Sequence, residues 1–253
     1  MYNRHFPKHN LPFVAGTLMT NTSVEPGGTA PKSLAARFVG VITSPRDTFA
    51  SVADHPKWLG MLAVCIVAAA VLVGGFLFTQ VGQDAWLDTV TTGRQLTDQQ
   101  LQTFEKIAPY AGYFALGQTI IVLPLTLLVV AGILFAVFNA ALGGQASFKQ
   151  VFAVVVHSGP IGVVGQLFSM PLNYVRGTMT SAANLGSLLP MLPEKSFAAH
   201  FLGAIDVFLI WQLIVLAIGL GVLYRRRTQP IGFSLLGVYA VIAVVIAAVR
   251  SRA

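Results

Sequence analysis

The chain has 253 residues, of which 55% are hydrophobic and only 10% charged. A soluble domain carries roughly 25% charged residues, so this chain has too few polar side chains to cover a water-facing surface. Its mean hydropathy of +0.72 agrees, and a soluble enzyme, a disordered chain and a fibrous protein are excluded together. In so apolar a sequence the net charge of +7 reports membrane orientation rather than nucleic-acid binding. The single Cys65 lies inside an apolar run, which leaves no disulfide framework and no thiol metal cluster.

Residues 1–32 are rich in Pro, Gly, Thr and Asn, including Glu25-Pro26-Gly27-Gly28, and read as a disordered tail. No apolar stretch of signal-peptide length occurs there, so nothing in it reads as cleaved. Over 33–56 two short amphipathic helices are expected on the cytoplasmic side. Leu34, Phe38, Val41 and Ile42 share a helical face, with Lys32, Arg37 and Arg46 nearby. That pattern suits a basic helix lying on an anionic leaflet, with Lys32, Arg37, Phe38 and Arg46 as the membrane-surface contacts. Ser44-Pro45-Arg46-Asp47 then reads as N-cap, first-turn proline and first-turn acid of a second helix burying Phe49 and Val52. A short connector packed on the bundle is the competing reading of this pair.

Charge-free windows mark where lipid can sit. They run from Trp58 to Gln83, Ile107 to Phe148, Gln150 to Val175, Val207 to Tyr224 and Thr228 to Val249. A spanning helix needs about 20 apolar residues, and the fourth window reaches that length by extending back through Asp206 to Ala198. The second window is 42 residues long, short of two spans plus a turn. It reads as one long, tilted helix that tolerates Pro124. The expected fold is therefore all-α, a polytopic membrane helical bundle. Its five transmembrane helices fall at about 58–81, 110–142, 150–172, 198–224 and 230–249 within a membrane domain over 57–253.

Between the first two spans, Thr97-Asp98-Gln99-Gln100 opens a surface helix with a capping box. The segment 177–193 carries Leu185, Leu189, Met191 and Leu192 between Pro and Gly breaks, and is expected to dip into the membrane interface. An N-in arrangement places ten Lys/Arg on the amino-terminal side against six opposite, so the inner membrane, a cytoplasmic N-terminus and an external C-terminus are expected.

Three segments carry a resemblance. Thr43-Ser44-Pro45-Arg46-Asp47-Thr48-Phe49 with His55-Pro56 resembles the opening of bacterial members of the Yip family. Gly143-Gly144-Gln145-Ala146-Ser147-Phe148-Lys149 resembles that family's glycine-rich lead into the third span. Gly203 to Trp211, followed by Ala217-Ile218-Gly219, is similar to its fourth span. The resemblance covers about Leu34 to Arg250 and implies a five-span membrane protein with a cytoplasmic N-terminus. Eukaryotic relatives bind Rab GTPases in vesicle traffic. This chain lacks their Asp-Leu-Tyr-Gly-Pro motif, which puts Rab binding in doubt.

The polar residues within the apolar windows form the candidate site: Asp206, His157, Gln166 and Gln118. An ionisable group at depth is costly and faces the bundle interior, so Asp206 reads first as a structural carboxylate bonded to a neighbouring helix. A solute or proton role is the alternative. Asp206 and His157 each lie about 12 Å inside opposite edges, which leaves room for them to pair across a core about 30 Å thick. Gln118, Asn139, Gln166 and Gln212 read as interhelical hydrogen-bond partners. One His and one Asp make no metal site, and no cofactor is expected. Gly-x-Ser-x-Gly, His-Glu-x-x-His and P-loop patterns are absent, so the chain reads as no enzyme. The leading function is a non-enzymatic multi-pass protein that organises membrane or partner proteins. A carrier or channel for lipid or a small solute, using Asp206, His157 and Gln166, is the alternative. Its expected partners are the lipid bilayer and either a second copy or another membrane protein, with no nucleic acid.

Overall fold

The computed structural model describes residues 32–189, 191–193 and 196–251, and all regular elements among them are helices. The expected tail therefore lies outside the described residues, apart from Lys32. Helix α1 (Leu34–Thr43) starts where the Ser33 side chain accepts from Ala36 N. Helix α2 (Pro45–Asp54) follows after one residue, so Ser44 ends α1 and begins α2 together. Ser44 N donates to Gly40 O, while its hydroxyl makes no capping bond; Pro45, with its fixed φ, sets the first turn instead.

Helix α3 (Leu59–Ala69) passes through a π turn (Ala70–Gly74) into α4 (Gly75–Leu77), forming one apolar rod. The sequence reading missed the next helix, α5 (Gln80–Thr91), which Thr79 caps by accepting from Gly82 N at 3.1 Å. Helix α6 (Asp98–Ile107) carries the Thr97–Gln100 capping box. A turn at Ala108–Tyr110 leads into α7 (Ala111–Phe135), and a π turn (Ala136–Ala141) prolongs it. Pro124 sits inside α7 without ending it. Helix α8 (Phe148–Arg176) opens on a second capping box, Ser147–Gln150, and stops at Gly177, whose φ of 61° suits glycine.

Beyond this point the expectation fails. The helix expected over 198–224 is two helices, α9 (Phe197–Gly203) and α10 (Val207–Leu223), separated at 204–206. Asp206 stands in the break as the N-cap of α10, its carboxylate accepting from Phe208 N and Leu209 N. Helix α11 (Thr228–Arg250) completes the chain. Among the described residues four helical rods are long and apolar enough to cross a membrane: Leu59–Leu77, Asp98–Ala141, Phe148–Arg176 and Thr228–Arg250. At 17 residues, α10 is shorter.

Helix α8 is the axis of the bundle, packed against α1, α2, α3, α7 and α10. Some 67% of its apolar window is buried, against 11% for Asp98–Ala141 and 17% for Thr228–Arg250. The outer helices therefore present most of their Leu, Ile and Val side chains outward, as lipid or a partner requires. One end of the bundle carries Arg225–Arg227 and is called here the basic end; the opposite end carries Asp84 and is the acidic end.

Candidate functional site

At the basic end, α1 and α2 pack against the bundle through one face. Val41, Phe49 and Val52 are fully buried, in one core with Met61, Val151 to Val156 and Leu220. Phe49 fits because α10 offers Gly219 there: a Cβ on Gly219 would stand 2.7 Å from Val154 Cγ1 and 2.9 Å from Phe49 Cδ1. Gln150 Nε2 donates to Ala53 O at 3.0 Å and so holds the last turn of α2 onto α8. The pair packs on the bundle as a connector would. Three of the four residues expected at a membrane surface make contacts within the fold. Lys32 Nζ donates to Thr48 Oγ1 at 3.3 Å, Arg37 donates to the carbonyls of Lys32 and Lys57, and Phe38 packs on the core. Arg46 alone among them is exposed.

At the acidic end, the break before α10 is closed by the loop after α8. Leu185 N donates to Ile205 O at 2.9 Å and Val207 N to Ala183 O at 3.1 Å. Irregular backbone in so apolar a bundle needs protein partners for its polar groups, and these bonds supply them. Ser181 Oγ donates to Asp206 Oδ2 at 2.7 Å, while Oδ1 accepts from Phe208 N at 2.8 Å and Leu209 N at 3.1 Å. Tyr239 Oη accepts from Asp206 N at 2.9 Å and donates to Ala204 O at 2.8 Å, tying α11 to the break. The loop over 177–189 is a lid fastened to Asp206.

Two cavities meet beneath this lid. The first, about 210 Å3, is lined by Gln166, Ser169, Asn173, Ser181, Asp206 and Gln212, with Gly162 and Gly165 as its floor. The second, about 410 Å3, lies between α7, α8 and the π turn of the first rod, and includes Gln118, Thr119 and Thr126. Gln166 and Met179 border both. Gln166 Oε1 is buried and has no hydrogen-bond partner. Gln166 thus lines both cavities, Asp206 only the first, and Gln118, which is exposed, only the second.

His157 lines neither cavity. Its side chain is fully buried, and Nδ1 donates to Ala153 O one turn back at 2.7 Å, which assigns the ring proton to Nδ1. Nε2 has no partner. Asp206 lies about 25 Å along α10 from the basic end and His157 about 14 Å along α8, so the two do not pair. Among the described residues no three His, Cys, Asp or Glu side chains come together as metal ligands. The one signal that could have found the break was Asp206 itself, an N-cap residue directly before an apolar run.

The Yip1 domain matches residues 39–249 of this chain. The chain belongs to the Yip1 domain family. It is similar to the membrane protein YknW of Bacillus subtilis (strain 168), with 24% identity over 188 residues that make up 72% of this chain and 75% of YknW. No solved structure matches. The Yip1 domain region takes in α2, both cavities, α10 and the four long apolar rods as far as Val249, so Asp206, Gln166, Gln118, His157 and Arg46 fall inside it. Lys32, Arg37 and Phe38 precede it.

Proposed function

We propose that this Yip1 domain protein is a non-enzymatic scaffold that organises partner proteins in the inner membrane, with α10 as a fifth crossing and the basic end cytoplasmic. The observation that carries the reading is the α1–α2 hairpin seated in the basic end, where Phe49, Val41 and Val52 pack against α8 and α10. A carrier needs a polar route across the whole bundle. Here the first cavity reaches Gly162 and Gln212, and toward the basic end His157, Val156, Val215 and Leu216 are buried. The largely exposed faces of α7 and α11 offer the contact surface a scaffold uses. Seventeen residues rise about 25 Å, so α10 crosses a core of about 30 Å when α9 and the lid complete its acidic end.

The carrier reading rests on the two cavities, which Gln166 borders with its Oε1 unpartnered. Accessibility separates the two. In a Cys65→Ser background, a cysteine at Gln118 should react with an impermeant maleimide from the acidic side, while cysteines at Met61 and Val215 should react from neither side. Reaction of the Met61 or Val215 variant from both sides would establish a through-path and replace the scaffold with a carrier.

Orientation has its own expected result. In the same background and in intact cells, Gln95→Cys should be labelled by the impermeant reagent and Thr228→Cys only after lysis. The reverse pattern would invert the topology and place Arg225–Arg227 outside.

A further inference from the structure

We infer that the groove between α7 and α11 at the basic end is a binding site for one anionic glycerophospholipid. The groove encloses about 570 Å3, within the range of about 300–1,000 Å3 typical of small-molecule sites. Its walls are Ile133, Val137 and Leu142 on one side and Pro230, Leu235 and Val238 on the other. Its one hydroxyl, on Ser234, is already donated to Pro230 O at 2.9 Å, so the walls ask for an apolar occupant. The mouth asks for the opposite. Arg226 and Arg227 both line it, and no acidic residue does.

Arg226 is held across the mouth by donating from Nη2 to Leu142 O at 2.7 Å, which spans from the α10–α11 turn to the end of α7. Phe138 turns inward and stacks on Tyr224 at 4.7 Å, so the π turn of α7 leaves the groove unfilled. Arg227 is exposed and makes no hydrogen bond or ion pair with another described residue. Helix α11 opens without a side-chain cap, and its free first-turn amides add positive potential at the same place.

Length fits the same occupant. From Arg227 to Val238 the groove follows eleven residues of α11, about 16 Å, which is one leaflet of a core about 30 Å thick. A phosphate head at the two guanidinium groups therefore places an acyl chain along the full groove. A free inorganic anion would leave the apolar walls bare, and a zwitterionic lipid would leave the Arg pair less well matched. The assignment needs the basic end to lie at a membrane surface, on either face, and stands apart from the scaffold reading.

Native mass spectrometry of the full chain tests it, in detergent with equimolar dioleoyl-phosphatidylglycerol and dioleoyl-phosphatidylcholine. The wild-type chain should retain phosphatidylglycerol in preference. Arg227→Gln should lower phosphatidylglycerol affinity about fivefold, one basic side chain's share near an anionic lipid surface. Arg94→Gln, an equal charge change at the acidic end, should not. Val238→Trp should fill the groove and remove the retained lipid while the protein stays monodisperse. Equal retention of both lipids by the wild type would overturn the proposal, as would an equal loss in Arg94→Gln. Undiminished phosphatidylglycerol on a folded Val238→Trp protein would also overturn it, and so would a dimer mass that Val238→Trp dissolves without changing lipid retention. If Val238→Trp misfolds, the comparison of Arg227→Gln with Arg94→Gln still decides.

Discussion

Phe49→Ala should destabilise the bundle by about 3–5 kcal/mol, the usual cost of emptying a fully enclosed aromatic site. The size follows from its surroundings: Phe49 has no exposed surface and touches α10 where only a glycine leaves room. Thermal unfolding in detergent, followed by the reactivity of the single buried thiol at Cys65, measures it. Cys65 packs in the same core, so opening the basic end exposes it early. Gly219→Ala should act from the other side of the contact by overpacking, at about 1–3 kcal/mol. Combined, the two should cost less than their sum, because shortening Phe49 frees part of the space the new methyl needs. Strict additivity would mean that Phe49 and Gly219 do not press on each other. A Phe49→Ala protein that melts like the wild type would remove α2 from the core, and with it the main support for a closed basic end.

What the sequence reveals and hides has a physical pattern. The long helix ending at Ala141 is legible because proline within lipid-facing helix costs one ladder bond without supplying a turn, and nothing near Pro124 offers one. The starts of α6 and α8 are legible because Thr97 and Ser147 each stand three residues before a Gln that bonds back. The placement of α1 and α2 is not legible. A helix with one apolar stripe and flanking cations looks the same whether the stripe meets lipid or a groove in the bundle. Gly219 and Val154, more than a hundred residues further on, decide which. Helix α5 escapes because Thr79 caps it by a local bond that no apolar periodicity announces. For the candidate site, polarity in an apolar window identifies Gln118, Gln166 and Asp206, which line two adjoining cavities, but also His157, which lines neither. Polarity gives no direction around the helix axis, and His157 turns back toward the Ala153 carbonyl of its own helix.

Asp206 carries the last of the large expected effects, because the α10 break turns on its two oxygens. In Asp206→Leu, Phe208 N and Leu209 N lose their cap, at about 1 kcal/mol, and the part-buried Ser181 hydroxyl loses its acceptor, at about 1–2 kcal/mol more. Together they should lower stability by about 2–3 kcal/mol, read as a drop in melting temperature and folded yield. Asp206→Asn should cost less than about 0.5 kcal/mol. Its amide oxygen caps the same two amides as well as aspartate does, and its nitrogen can donate to Ser181 Oγ, which turns from donor to acceptor. The pair of variants also divides the functional readings. A scaffold tolerates Asn because shape and hydrogen bonds are kept, whereas a carrier that moves protons or cations through the first cavity needs the charge that Asn lacks. A stable Asn variant with a lost cellular phenotype would therefore favour the carrier. A Leu variant as stable as the wild type would show that the loop over 177–189 holds the break closed by its backbone bonds to Ile205 and Val207 alone.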